Sequence, residues 1–154
     1  RVLFRSRDEA RHILMTEVEE GLRHEKAVKI KEGTDVSVIT NGETLAEVME
    51  ASEILKNKGI SAEIIHMPVI KPVDKNSIIE TARKTELVIT VENHSVIGGL
   101  GSAVCECLSE NSPHKVVRIG VNDTFGQSGT PKELLKYYGL DAESIANRIL
   151  EIKQ

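Results

Sequence analysis

The order of apolar runs from about residue 26 onward predicts an α/β fold, a three-layer α/β/α sandwich. Two observations carry that expectation. Segments with strand periodicity alternate with segments with helix periodicity, which implies right-handed crossovers between parallel strands. Leu87-Val88-Ile89-Thr90-Val91 is apolar on both alternating faces, as suits the central strand of the sheet, covered by helices on either side.

The elements follow in order. Ser6-Arg7-Asp8-Glu9 has capping-box spacing, and Ala10, Leu14, Val18 and Leu22 recur along one face, so residues 1–25 read as a linker or the remnant of a preceding domain, with a helix in it. The domain itself is expected over 26–154. Ala27-Val28-Lys29-Ile30 and Val36-Ser37-Val38-Ile39-Thr40 read as strands around a turn at Glu32-Gly33-Thr34-Asp35. Thr44 with Glu47 forms a second capping-box pattern, opening a helix with an apolar face of Leu45, Val48, Met49 and Leu55 that stops at Gly59.

Ala62 to Met67 reads as a strand, followed by a connection holding Pro68 and Pro72 and a helix capped by Asp74 that runs through Ile78, Ile79 and Ala82. After the strand at Leu87–Val91 come a polar loop, a glycine cluster, a short helix through Ala103, Val104 and Cys107, and a last strand at Val116-Val117-Arg118-Ile119. Thr130-Pro131-Lys132-Glu133 combines an N-cap, a first-turn proline and a reciprocal glutamate, so a helix toward Tyr138 is expected, stopped by Gly139. Asp141 then caps a final helix carrying Ile145, Ile149 and Ile152. No repeat at solenoid periods and no low-complexity tract interrupts this order.

Composition narrows the function classes. With 154 residues, 40% of them hydrophobic, the chain is long enough for a core of its own. The net charge of −4, without a basic stripe, argues against nucleic acid or an anionic membrane as partner. No apolar run approaches the roughly 20 residues of a membrane helix, and Arg1–Arg11 lacks the apolar core of a signal peptide, so a cytoplasmic protein is expected. Cys105 and Cys107 diverge if helical and cannot pair, and the five histidines have no metal-ligand spacing, so no metal site is expected.

Val91-Glu92-Asn93-His94-Ser95-Val96-Ile97-Gly98-Gly99-Leu100-Gly101 is the most informative stretch, because open α/β sheets gather ligands where a strand's carboxyl end enters a helix. Free amides at that helix start could hold an anion, with Glu92 and His94 near enough to share a proton or a hydrogen bond. The favoured alternative is that Gly98, Gly99 and Gly101 serve only to turn the chain and pack the helix, with both side chains bonded to backbone. The spacing Gly98-x-x-Gly101 is neither a dinucleotide fingerprint nor a Walker loop. Asn41 and Gly42 face the Glu92 loop if their strands flank a switch in sheet order; otherwise they make a turn and a cap. Asp123 to Gly129 is a polar loop with one of the two phenylalanines, Phe125, and with Ser128, either an interface or a surface loop plugged by that ring. Ser95, Ser102 and Ser128 lack the Gly-x-Ser-x-Gly setting of a hydrolase nucleophile, so an independent small hydrolase is disfavoured.

Taken in order, four blocks resemble the carboxyl-terminal domain of the transketolase family: Glu32-Gly33-Thr34-Asp35-Val36 with Thr40-Asn41-Gly42; His66 through Asp74; Val91-Glu92-Asn93-His94 with Gly98-Gly99-Leu100-Gly101; and Asp123-Thr124-Phe125-Gly126-Gln127-Ser128-Gly129 leading to Tyr138-Gly139-Leu140. The resemblance covers about Lys26 to Ile152 and looks nearer to transketolase, particularly to forms split into two chains, than to deoxyxylulose-phosphate synthase or 2-oxoacid dehydrogenase β subunits. It implies a mostly parallel, mixed five-stranded sheet and a structural or assembly role in an enzyme that transfers two-carbon ketol units between sugar phosphates. In that family thiamine diphosphate and Mg2+ belong to pyrimidine- and diphosphate-binding domains, here expected as partners in a homodimer or heterotetramer. No Gly-Asp-Gly motif occurs, so the resemblance carries over no catalytic, cofactor-binding or metal residue, and the chain alone is expected to be inactive. The residues left as an anion or interface site are Asn41, Gly42, Glu92, His94, Gly98, Gly99, Gly101, Phe125 and Ser128. The competing reading is a regulatory module that binds a nucleotide or sugar phosphate.

Overall fold

The computed structural model describes Glu19 and residues 25–153, so the helix expected from Ser6 lies outside the described residues. Strands β1 (Val28–Lys31), β2 (Val36–Thr40), β3 (Ala62–His66), β4 (Val88–Ser95) and β5 (Val116–Val121) form one sheet in the order β1-β3-β2-β4-β5. Helices α1 (Thr44–Asn57), α2 (Lys75–Ala82), α3 (Leu100–Asn111), α4 (Pro131–Tyr137) and α5 (Ala142–Lys153) complete the fold. β2, β3, β4 and β5 run parallel and only β1 is antiparallel, giving the mixed sheet the resemblance implied.

Side-chain alternation sorts the helices into two outer layers. Val36 and Val38 of β2, Ile64 of β3 and Ile89 of β4 face α1 and α5, meeting Val48, Leu55, Ile145 and Ile149. The opposite face presents Ile39, Ile65 and Val88 to Ile78 of α2 and to Leu100, Val104 and Leu108 of α3. Both faces of β2 are buried along its whole length, and β2, rather than Leu87–Val91, is the middle strand. β4 is the inner strand beside it.

Three local expectations change. The polar loop after Val91 is a continuation of β4 through Ser95, which pairs with Val121 across a register shift. Thr44 sits inside α1, its hydroxyl bonded to Thr40 and to the Asn41 carbonyl, while Glu43 holds the N-cap position with no side-chain cap bond. Glu47 is therefore free to reach elsewhere: its carboxylate accepts the Ala142 amide at 2.8 Å, the first N–H of α5, while Asp141, the expected cap, has a buried Oδ1 without a hydrogen-bond partner. A glutamate one turn into one helix thus ties down the start of another, 95 residues away. By contrast, Asp74 caps α2 through Ser77, and Thr130 with Glu133 forms the complete capping box on α4.

Candidate functional site

β2 leads toward β3 on one side and β4 on the other, so the switch in sheet order falls between β2 and β4, and the loops leaving their carboxyl ends part there. A cleft of about 600 Å³ opens at that point, lined by Asn41, Gly42 and Glu43 after β2, Glu92, Asn93 and His94 at the end of β4, Gly98 and Gly99 before α3, and Ile70. Six of the nine candidate residues converge here. Gly101 lies one step behind, inside α3, and Phe125 and Ser128 sit apart on the loop after β5.

Glu92 is the buried floor of this cleft, 1% exposed. Its two carboxylate oxygens accept the amides of Leu100 and Gly101 at 2.7 and 2.8 Å. Those are first-turn N–H groups of α3, the donors that an anionic ligand would use. The chain's own carboxylate holds them, with a helix end that carries about half a positive charge beneath it.

The glycines are explained by this packing. A Cβ on Gly99 would come within 1.9 Å of Glu92 Oε2, and one on Gly101 within 2.8 Å of Thr90 Oγ1 and of Arg118. Gly98, at φ +79°, makes the left-handed turn before the helix. Arg118 donates to the Val96 carbonyl at 2.6 Å and Ser102 accepts the Gly98 amide at 2.8 Å, so the glycine turn is fastened from both sides.

His94 is exposed, and its Nδ1 donates to the Ser95 carbonyl at 3.0 Å, which leaves Nε2 of the neutral ring as an acceptor. It lies on the same side as Glu92, but each is held by backbone and no hydrogen bond joins the two. Asn93 donates to Glu43, linking the two rims of the cleft. Ser95 Oγ accepts the Ile97 amide and Ser102 also bonds Val96, so neither hydroxyl is placed against a histidine base. Cys107 is buried and Cys105 half-buried, both as free thiols whose pKa burial pushes up, against nucleophilic use.

Glu43, Asn93 and Ile70 were not among the candidates. The first two flank residues that were, and that adjacency was the signal available. Ile70 follows β3, whose carboxyl end opens on the same edge as that of β2.

The donor set does not fit thiamine diphosphate. No lysine or arginine lines the cleft to meet a diphosphate, and the α3 amides are already held. Among the described residues no three His, Cys, Asp or Glu side chains converge as metal ligands. None of the described helices is long and apolar enough to cross a membrane.

Beyond the cleft, residues 122–133 are all exposed, yet the segment is ordered from within. Tyr138 Oη accepts the Gln127 amide at 3.0 Å and donates to the Phe125 carbonyl at 3.4 Å, while the Thr130–Glu133 box closes the far end. Phe125 itself is 96% exposed, so of the two alternatives the plug is not made.

Comparison with known proteins places this architecture. The family model for the transketolase C-terminal domain matches residues 25–145. A protein of Methanocaldococcus jannaschii described as a transketolase C-terminal section is 53% identical over 121 residues, 78% of this chain and 37% of that one. A 6-deoxy-6-sulfo-D-fructose transketolase subunit of a Clostridium species is 42% identical over 129 residues, covering 84% and 40%. A solved split-gene transketolase, an inactive β4 tetramer, superposes with a TM-score of 0.78 at 45% identity, over 82% of this chain and 41% of that one. The chain thus spans about two-fifths of the length of these proteins.

Proposed function

The chain belongs to the transketolase C-terminal domain family, and on that premise we propose that it is the assembly domain of a split, thiamine-diphosphate-dependent enzyme that transfers two-carbon ketol units between sugar phosphates. The domain takes no step in that chemistry. Thiamine diphosphate and Mg2+ are held by pyrimidine- and diphosphate-binding portions of the enzyme, and this domain packs against them in the cytoplasm as part of a dimer or heterotetramer.

The observation that carries the reading is the state of the cleft at the switch point. Where an open sheet would hold a ligand, a buried glutamate of the chain itself takes the helix amides, and the rim supplies neither a cation for phosphate nor a nucleophile–base pair. The 45%-identical neighbour, an inactive tetramer of one kind of chain, supports a domain that needs others for turnover.

The test is a ketol-transfer assay with thiamine diphosphate and Mg2+. Purified chain alone is expected to give no turnover, and the chain is expected to bind a complementary chain that carries the cofactor. Turnover by the chain alone, or thiamine diphosphate bound to it in calorimetry, overturns the reading.

A further inference from the structure

Asn41 and Gly42 make the one Asn-Gly step in the sequence. They leave the carboxyl end of β2 and form part of the cleft lining, Asn41 half-buried and Gly42 exposed. An asparagine followed by glycine is open to a reaction within its own backbone, in which the next residue's nitrogen attacks the side-chain amide carbon and closes a succinimide ring. Glycine favours the attack because it has no Cβ to obstruct the approach and reaches backbone angles closed to other residues. Whether a folded chain permits the reaction depends on what holds the carboxamide and the attacking N–H.

Six of the seven asparagines are held. The Asn93 carboxamide donates to Glu43, and that of Asn111 donates to the Cys107 carbonyl at 2.7 Å, with the following Ser112 amide bonded to Leu108. After Asn57, Asn76 and Asn122 the next amide is taken by the Leu55 carbonyl, the Asp74 carboxylate and the Val121 carbonyl respectively. Asn147 lies inside α5, whose ladder takes the next N–H. At Asn41 only the main-chain carbonyl is engaged, accepting the Thr44 hydroxyl at 2.6 Å. Among the described residues nothing bonds its carboxamide or the Gly42 N–H. Gly42 stands at φ +54° with open space where a Cβ would lie, so no neighbour obstructs the turn.

We propose that Asn41 is a self-modification site, converted to aspartate and isoaspartate through a succinimide formed with Gly42. The Gly42 nitrogen bonds to Asn41 Cγ as the Cγ–Nδ2 bond breaks; the proton leaving that nitrogen passes through water to Nδ2, which departs as ammonia. Water then opens the ring at either carbonyl, with no change of oxidation state. Both products add a carboxylate to a cleft that Glu43 and Glu92 already line. Isoaspartate also carries the chain through its side-chain carbon, which lengthens the link between β2 and α1 by one methylene and displaces the carbonyl that Thr44 bonds.

The test is peptide mass spectrometry of the folded chain aged at mildly alkaline pH, with a urea-unfolded sample aged alongside. Conversion at Asn41 in the folded chain is expected to run at least about tenfold faster than at Asn76 or Asn111, the two asparagines followed by serine. The converted chain is expected to accept a methyl group from S-adenosylmethionine in the presence of an isoaspartyl methyltransferase. Gly42→Ala is expected to slow conversion about tenfold or more, a barrier higher by about 1.4 kcal/mol. The comparison of folded with unfolded samples uses wild-type chain alone, so it stands whatever that substitution does to the fold. Folded chain that keeps Asn41 intact while unfolded chain converts it overturns the proposal, because the turn then blocks the attack. Conversion in the folded chain no faster at Asn41 than at Asn111 overturns it as well.

Discussion

The two ends of the sheet treat a buried carboxylate differently. At the amino end Glu63, fully buried, is bonded by Lys84 at 2.9 Å and by Ser37 at 3.2 Å, with Thr85 behind Ser37 at 2.8 Å. At the carboxyl end Glu92, equally buried, is bonded by backbone amides alone. Lys84 and Thr85, just past the end of α2, close the amino end, and among the described residues no large apolar group is left in water there. The carboxyl end keeps a cleft and exposed Ile97 and Phe125. One end is finished by the chain itself, and the other has the Glu92 carboxylate satisfied but its apolar surface uncovered. The difference separates what stabilises the domain from what it leaves exposed.

The largest expected effect lies at the closed end. A Cβ on Gly33 would sit 2.1 Å from the Ala62 carbonyl carbon and the Glu63 amide nitrogen, backbone atoms of an inner strand. Gly33→Ala is expected to cost about 4 kcal/mol or more in urea unfolding, because the obstacle cannot rotate away. A variant as stable as wild type would show the amino end to be looser than its packing.

At the open end the obstacle is a side chain, and that is a sharper test of the contrast. Glu92→Ala leaves two buried amides unpaired and is expected to cost about 3 kcal/mol. Gly99→Ala alone drives a methyl into Glu92 Oε2 and costs a similar amount, about 2–4 kcal/mol. In the Glu92→Ala background the same methyl meets no carboxylate, so the two losses should fall short of adding by at least about 1 kcal/mol in a double-mutant cycle. Strict additivity would mean that Gly99 is required for some reason other than Glu92.

An acid titration distinguishes the ends in another way. His66 closes β3 at the carboxyl end, 3% exposed with Nδ1 unpartnered, and burial pushes its pKa down from 6.5 to about 4. The folded chain holds the neutral ring and the unfolded chain takes the proton more readily, so this contribution is complete above about pH 6.5 and is lost as the pH falls toward 4. The loss by pH 4.5 is about 2–3 kcal/mol relative to pH 7. His66→Phe should remove that part of the pH dependence, seen as a smaller difference between urea midpoints at the two pH values. An unchanged difference would assign the acid sensitivity to the carboxylates.

How much of this was legible depended on whether a residue's partner was near it in sequence. The strand and helix order and the caps at Asp74 and Thr130 were readable because each rests on periodicity or on a bond three residues away. The convergence of Asn41 and Gly42 on the Glu92 loop was readable only as a condition on sheet order. Glu47 was misread because its partner, the Ala142 amide, is 95 residues distant while a plausible local one stood three residues back. The extension of β4 through Ser95 was missed because polar residues at a strand's end look like a loop when their pairing with β5 is unknown. The role of Glu92 was visible as proximity to glycines, but that it faces inward and takes the helix amides depends on the path of the turn between them.

The smallest expected effect on stability falls on the most conspicuous residue. Phe125 is 96% exposed, so its removal takes almost no apolar area out of a core, and its carbonyl, which Tyr138 bonds, belongs to the backbone that a substitution keeps. Phe125→Ser should leave the unfolding free energy of the chain within about 0.5 kcal/mol of wild type. If the ring packed on the domain in solution, the same change would cost several-fold more, as burying a phenylalanine is worth about 1.5–3 kcal/mol. A cost in that range would move Phe125 from the surface the domain presents to the core it already has, and the contrast between a closed and an open end would lose its clearest marker.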